Sequence, residues 1–172
     1  MVLTVICGVL YTAVMTGFAQ LVFPAQANGS IVTATAENGT PPDYGSALLG
    51  QNFTESKYLI GRPMQVSNLS PKSERQKQLV QQRVAWWHEF DPNTRDKDIP
   101  ADLVTASGSG VDPCISPAAA EFQVARIAAA RGMTPSAVRA IIQKYTAGRF
   151  LGFVGEPAVN VLQVNLALDG LM

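Results

Sequence analysis

Catalysis at neutral pH needs a titrating side chain, a nucleophile beside its base, or a set of metal ligands, and this chain offers few of these. Its one histidine, His88, stands next to Glu89 on the polar side of a helical pattern, where an imidazole is ordinarily solvated surface. Its two cysteines are Cys7, inside an apolar run, and Cys114, alone outside it, so no intrachain disulfide is expected. One His and one accessible Cys cannot build a transition-metal site of standard composition within one chain. Ser107-Gly108-Ser109-Gly110 has part of a nucleophile elbow, but Ser107 stands where the first glycine belongs and no strand and helix flank it. It reads as a flexible connector.

Two further motifs fail on single residues. Gly45-Ser46-Ala47-Leu48-Leu49-Gly50-Gln51-Asn52 has glycines five apart, as in a phosphate loop. Gln51 and Asn52 occupy the places of the Lys and the Ser or Thr that such a loop needs, so no cation faces the β and γ phosphates. The acidic stretch Asp91 to Asp98 lacks the central glycine of a calcium loop and has Arg95 where a ligand belongs. No autonomous enzyme emerges, and no cofactor or metal is assigned to the chain itself.

Charge excludes another class. Thirteen basic and thirteen acidic residues give a net charge of zero, with no long run of one sign, which argues against a nucleic-acid partner. Four of the seven asparagines, Asn28, Asn38, Asn52 and Asn68, head N-x-[ST] sequons, and the Asn-Gly pairs among them are also ordinary turn chemistry.

No charged residue precedes Glu37, and Met1 to Phe23 are almost wholly apolar. A helix of that length spans about 34 Å, enough to cross a hydrocarbon core of about 30 Å. A secretory signal would have a basic start and an apolar run of about 7 to 15 residues; here only the small-x-small site, Ala25-Gln26-Ala27, is present. Residues 1–25 are therefore expected to be a transmembrane helix in contact with lipid, and residues 26–172 a single domain beyond it. Gly8, Thr12, Thr16 and Gln20 recur every four residues along the span. Small and hydroxyl residues at that spacing let a second helix approach closely, so these four are the candidate partner-helix contact. No Lys or Arg lies near either end of the span, so the positive-inside rule does not orient it.

The remaining pattern predicts an α+β fold. Residues 24 to 73 are rich in Gly, Pro, Asn and Ser, with short apolar pieces at Ser30 to Thr35, Ala47 to Leu49 and Tyr58 to Ile60 that suggest strands. A helix is expected from Ser73 to Phe90, with Ser73 and Gln76 as a capping box and Leu79, Val80, Val84 and Trp87 on one face. Ser116-Pro117 and Thr134-Pro135 each start a further helix, stopped by Gly132 and Gly148, and the two should pack as an αα pair. A strand is expected at about Val159 to Leu162.

Several motifs together carry a family resemblance. Phe23-Pro24-Ala25-Gln26-Ala27-Asn28-Gly29-Ser30 after a single span, then Gly45 to Thr54 and Gly61-Arg62-Pro63, look like the small C subunit of the bacterial Kdp potassium-transporting P-type ATPase. Asp102-Leu103-Val104-Thr105-Ala106-Ser107-Gly108-Ser109-Gly110-Val111-Asp112-Pro113 and the block Gly155 to Asp169 extend the likeness over the whole chain. The resemblance implies a non-catalytic subunit of a high-affinity potassium uptake complex in a bacterial or archaeal plasma membrane, with its domain on the extracytoplasmic side. It implies three partners: a potassium-channel-like subunit, an ATP-hydrolysing subunit and a small hydrophobic subunit. It also implies a catalytic-chaperone role that raises the ATP affinity of the hydrolysing subunit, so that ATP belongs to the complex. A P-type pump phosphorylates the Asp of an Asp-Lys-Thr-Gly motif, and Asp96-Lys97 is followed here by Asp98. Acidic residues near turns, Asp43 and Asp112, would raise cation concentration at a channel mouth. Family members usually begin with a short basic segment ahead of the span, whereas Met1 here lies inside it. The alternative function is a stand-alone, membrane-anchored extracytoplasmic binding protein.

Overall fold

The computed structural model describes residues 1–33, 43–66 and 68–172, with Asp43 as backbone only. The Asn38 sequon, the end of the predicted Ser30 to Thr35 strand and the Asp43 carboxylate lie outside the described residues. Chain contacts separate two compact units, Met1–Leu48 and Leu49–Met172.

The first unit is dominated by helix α1, Val2–Val22, none of whose apolar residues is buried. Between Ile6 and Tyr11 it widens into a π-helical stretch. Phe23, at φ −130°, breaks the helix, and Pro24 opens a single further turn, α2 (Pro24–Ala27). Strands β1 (Ile31–Thr33) and β2 (Asp43–Ser46) then pair antiparallel, with an irregularity between Val32 and Thr33. The strand expected at Ala47 to Leu49 is instead a turn. The Ser46 hydroxyl accepts from the Leu48 N–H at 3.1 Å, which bends the chain where β2 ends.

The second unit is the mixed helix and sheet part of an α+β fold. Helix α3 (Glu74–Phe90) is capped by Ser73, whose side chain accepts from the Gln76 N–H. A four-residue helix α4 (Ala101–Val104) follows, unannounced in the sequence. Helix α5 (Pro117–Arg131) starts at Ser116 and ends at Gly132 in the left-handed conformation; α6 (Pro135–Lys144) starts at Thr134. Arg139 of α6 meets Glu121 of α5 at 2.6–2.9 Å on the exposed side of the expected αα pair, whose buried Val124, Ile127, Val138 and Ile142 share one core. Strand β3 (Cys114–Ile115), β4 (Thr146–Ala147) and β5 (Ala158–Asn160) form an antiparallel sheet in the order β3-β5-β4.

Two boundaries differ from expectation. Helix α6 stops at Lys144, not at Gly148, because Thr146 and Ala147 are recruited to pair with Val159 and Ala158. The strand predicted at Val159 to Leu162 ends at Asn160, which caps helix α7 (Val161–Leu168) by accepting from the Gln163 N–H at 3.1 Å. Asn160-Val161-Leu162-Gln163 is a capping pattern that the β-branched residues obscure.

The strand predicted at Tyr58 to Ile60 does not form: Tyr58 ends a turn, its N–H donating to the Glu55 carbonyl at 3.1 Å, and Leu59 and Ile60 pair with side chains rather than with a strand. In extended chain, successive residues turn their N–H and C=O groups to opposite sides. Leu59 donates to Asn165 Oδ1 of α7 at 2.7 Å and accepts from its Nδ2 at 2.9 Å. Ile60 donates to Gln123 Oε1 of α5 at 2.9 Å and accepts from its Nε2 at 2.9 Å. Each primary amide, with one donor edge and one acceptor edge, replaces a neighbouring strand. Gln123 is 0% and Asn165 1% exposed, and the Leu59 pair is fully buried, the Ile60 pair partly so. Arg126 of α5 donates to the carbonyls of Ser56 and Tyr58 and to Gln123 Oε1, and its guanidinium lies over the Phe90 ring at 4.9 Å. Burial brings the Arg126 pKa down to about 10, opposed in part by Asp91. Arg131 adds bonds to the carbonyls of Lys57 and Leu168, both at 2.7 Å. Around this seam sit the buried side chains of Trp87, Val124, Ile127, Val138, Val159 and Val164.

Losing either amide strands a buried N–H and a buried C=O, each at about 1–3 kcal/mol. Gln123→Ala and Asn165→Ala are each expected to lower unfolding free energy by about 2–4 kcal/mol. Urea denaturation of the detergent-solubilised chain, followed by tryptophan fluorescence, reads this directly.

Candidate functional site

Gly8, Thr12, Thr16 and Gln20 are all exposed along α1. A four-residue step in an ideal α-helix drifts by about 40°, and the wider π turn at Ile6–Tyr11 takes back part of that drift where Gly8 leads to Thr12. Thr12 Oγ1 donates to the carbonyls of Gly8 at 2.8 Å and Val9 at 3.0 Å. What this part of the helix offers outward is therefore the Thr12 methyl and the bare backbone of Gly8, where a Cβ would meet nothing within 4 Å. Gln20 turns along the chain to Asn28, its amide pairing with the Asn28 amide at 3.3–3.4 Å, while Asn28 also donates to the Pro24 carbonyl at 2.7 Å. The structure thus links Gly8 with Thr12 and ties Gln20 to the end of α2.

The second unit gathers the Asp102 to Pro113 motif around α4. The C-terminal end of this short helix would leave carbonyls unpaired, and side chains supply the missing donors. Trp87 Nε1 donates to the Leu103 carbonyl at 3.1 Å and Arg83 Nη1 to the Val104 carbonyl at 2.8 Å. Arg62 reaches Thr105 Oγ1 and Asp102 Oδ1, both at 3.5 Å. Asp102 Oδ2 accepts from the Ser116 N–H at 2.7 Å, joining α4 to the start of α5. Burial pushes the Asp102 carboxyl up, and hydrogen bonding from Ser116 with the charge of Arg62 outweighs it, leaving the group below the usual carboxylate range.

The connector read at Ser107 to Gly110 is a packed turn. Ser107 and Ser109 hydroxyls accept from the N–H groups of Gly110 and Val111 at 3.0 and 3.2 Å. Gly110 sits at φ +72°, where a Cβ would fall 2.7 Å from Val66 Cγ2, so backbone and space both demand glycine. Space alone demands it at Gly50, the second glycine of the phosphate-like loop. Gly50 donates to the Val111 carbonyl at 2.7 Å, and a Cβ would lie 2.8 Å from the Asp112 carbonyl. The Asp112 carboxylate accepts from the Cys114 N–H at 2.9 Å, the geometry of a turn cap. Burial, with Asp112 nearby, pushes the Cys114 thiol up, so it stays protonated at neutral pH. His88 is half-buried rather than exposed.

The family model described as "K+-transporting ATPase, c chain" matches residues 1–170. The chain belongs to the KdpC family. It is 56% identical over 174 residues to the potassium-transporting ATPase KdpC subunit of Listeria monocytogenes EGD-e, covering 99% of this chain and 91% of that one. The KdpC subunit of Listeria welshimeri is 53% identical with the same coverage, and that of Clostridium perfringens 46% identical over 190 residues, covering 100% and 93%.

In this KdpC-family chain the residues that organise the second unit are ones that motif reading passes over. Gln123 and Asn165 each interrupt an apolar helix face, Gln123 among Ala119, Ala120 and Ile127, Asn165 among Val161, Leu162 and Leu168. A polar residue in the middle of such a face is the signal, because burial without a partner would be costly. Asp102 gives a pH signature. A carboxyl whose folded pKa lies below its unfolded value of about 3.9 adds stability that is complete above that pH and lost as pH falls through the folded value. The stability difference between wild type and Asp102→Asn should therefore be largest near pH 7 and shrink below about pH 4, as urea midpoints at a series of pH values will show.

Proposed function

We propose that the chain is the non-catalytic C subunit of an ATP-driven potassium uptake pump, an accessory subunit anchored by residues 1–25 with residues 26–172 on the extracytoplasmic face. The observation that carries this reading is the family match over residues 1–170, with one long, fully exposed apolar helix at the place of a single-pass anchor. The relatives' names support it, since each is called a potassium-transporting ATPase subunit. Phosphorylation and potassium conduction belong to other chains of the complex, an ATP-hydrolysing subunit and a channel-like subunit, accompanied by a small hydrophobic one. Gly8, Thr12 and Thr16 form the face that meets a neighbouring helix, and Gln20, tied to Asn28, sets the exit of the span.

The subunit stabilises the complex and acts as a catalytic chaperone that raises ATP affinity. A domain on the outer face does not reach a cytoplasmic nucleotide site, so the effect is a coupling free energy of about 1–3 kcal/mol passed through packed spans.

Extraction in mild detergent should bring the chain out in stoichiometric company with much larger membrane chains; a stand-alone anchored binding protein would come out alone. Gly8→Leu should weaken that association by about 3- to 30-fold, the equivalent of about 0.6–2 kcal/mol for a membrane-helix contact. Photo-crosslinkers at Thr12 or Thr16 should capture one subunit specifically. With the span kept and residues 26–172 removed, the ATP affinity of the pump should stay raised; its return to the subunit-free value would assign the effect to the domain.

A further inference from the structure

A cleft of about 170 Å³ opens in the second unit between the segment from Gln51 to Pro63, helix α3 and helix α4. Gln51, Asn52, Ile60, Arg62, Arg83 and Trp86 line it. Its charges are not balanced. Arg62 stands 3.5 Å from Asp102, whereas Arg131–Asp169 and Arg139–Glu121 close to 2.7 and 2.6 Å in the same molecule. The other oxygen of Asp102 is already engaged by the Ser116 N–H, and Arg62 Nε is buried with no hydrogen-bond partner among the described residues. Arg83 gives Nη1 to a carbonyl and pairs with no carboxylate among the described residues, and burial holds its guanidinium below the ordinary range. Two arginines thus line the cleft, and the one carboxylate paired with either, Asp102, stands 3.5 Å from Arg62.

The apolar wall is equally unspent. Trp86 is 42% exposed although its neighbour Trp87 is fully buried. Its ring is held flat against Phe90, at 4.6 Å and 14°, so it presents a rigid face. An aromatic face beside arginines whose charge is only partly met is the composition of a binding hot spot. The ring beside the arginines selects the anion. A carboxylate carried next to an apolar residue engages the planar fork of an arginine and the Trp86 face together, whereas a free phosphate engages only the fork.

We infer that this cleft receives an acidic side chain, flanked by an apolar residue, from a polypeptide loop of a partner subunit. The inference rests on the pump-subunit reading for the source of the loop, and on the cleft alone for its chemistry.

The chemistry is tested on the full-length chain in detergent with three probes at matched ionic strength: N-acetyl-Asp-Phe amide, N-acetyl-Asn-Phe amide and inorganic phosphate. The Asp peptide should change tryptophan fluorescence saturably, the Asn peptide should bind about tenfold more weakly or worse, and phosphate should neither bind nor compete. Arg83→Gln, too short to reach the Val104 carbonyl, should lower the urea midpoint and, measured where the variant is still folded, lose about tenfold in affinity, and Trp86→Phe should lose the signal but not the binding, as equilibrium dialysis reads. Equal binding of the Asp and Asn peptides, effective competition by phosphate, or wild-type affinity in Arg83→Gln would overturn the proposal. A second arm uses the assembled pump, where Arg83→Gln should lower retention of the larger chains in high-salt washes. If wild type copurifies and the variant is retained equally, the cleft is not the docking site. If wild type brings down no larger chains, the pump reading fails while the peptide arm still decides the cleft.

Discussion

Leu59 and Ile60 cross the second unit as one extended strand-like segment, and no strand among the described residues lies beside them. Asn165 on one side and Gln123 on the other supply the donor and acceptor edges that a sheet would have supplied. The two amides come from different helices, α7 and α5, so the segment is a shared seam between them. Arg126 and Arg131 extend the seam by holding the carbonyls from Ser56 to Tyr58. The sheet is small, three strands of two or three residues, and cannot by itself fix the relative placement of these helices. Four amide hydrogen bonds, buried at Leu59 and partly buried at Ile60, do so instead. Their energy is modest when made and large when broken, which is what makes such a network specify one arrangement.

The seam also positions the surfaces on which function rests. Ile60 is immediately followed by Gly61 and Arg62, and Arg62 reaches the end of α4 that Trp87 and Arg83 hold from the other side. The Asp102 to Pro113 motif is anchored in turn through Ser116, Gly50 and the Val66 contact of Gly110. A non-catalytic subunit, as proposed above, acts by presenting fixed surfaces to its neighbours. The clustering of hydrogen-bonded loops around one seam gives such surfaces, while α1, exposed along its whole length, offers a second one for the membrane.

Much of this is legible in the residues. Ser73, Ser116 and Thr134 declare their helices by side-chain chemistry local enough to survive any tertiary context, and the uncharged run before Glu37 declares the long apolar helix α1. What is not legible depends on distant partners. Gly148 looks like a helix stop, but pairing of Thr146 with Val159 ends α6 earlier. Val159 to Leu162 looks like one strand because β-branched residues favour extension, yet the Asn160 cap turns the last two into a helix. Ser107 to Gly110 looks flexible by composition, and the packing of Gly110 against Val66 makes it a fixed turn. Tyr58 to Ile60 looks like a strand, yet Tyr58 closes a turn and the partners of Leu59 and Ile60 are the side chains of Asn165 and Gln123, which lie 106 and 63 residues away in the chain.

The most direct measurement is native-state hydrogen exchange at the Leu59 and Ile60 amides. If the two side-chain amides replace a missing strand, these N–H groups should exchange only through global unfolding, with the same opening free energy as the buried turn of α5 around Val124. Exchange at the rate of the exposed turns, while α5 remains protected, would contradict the account.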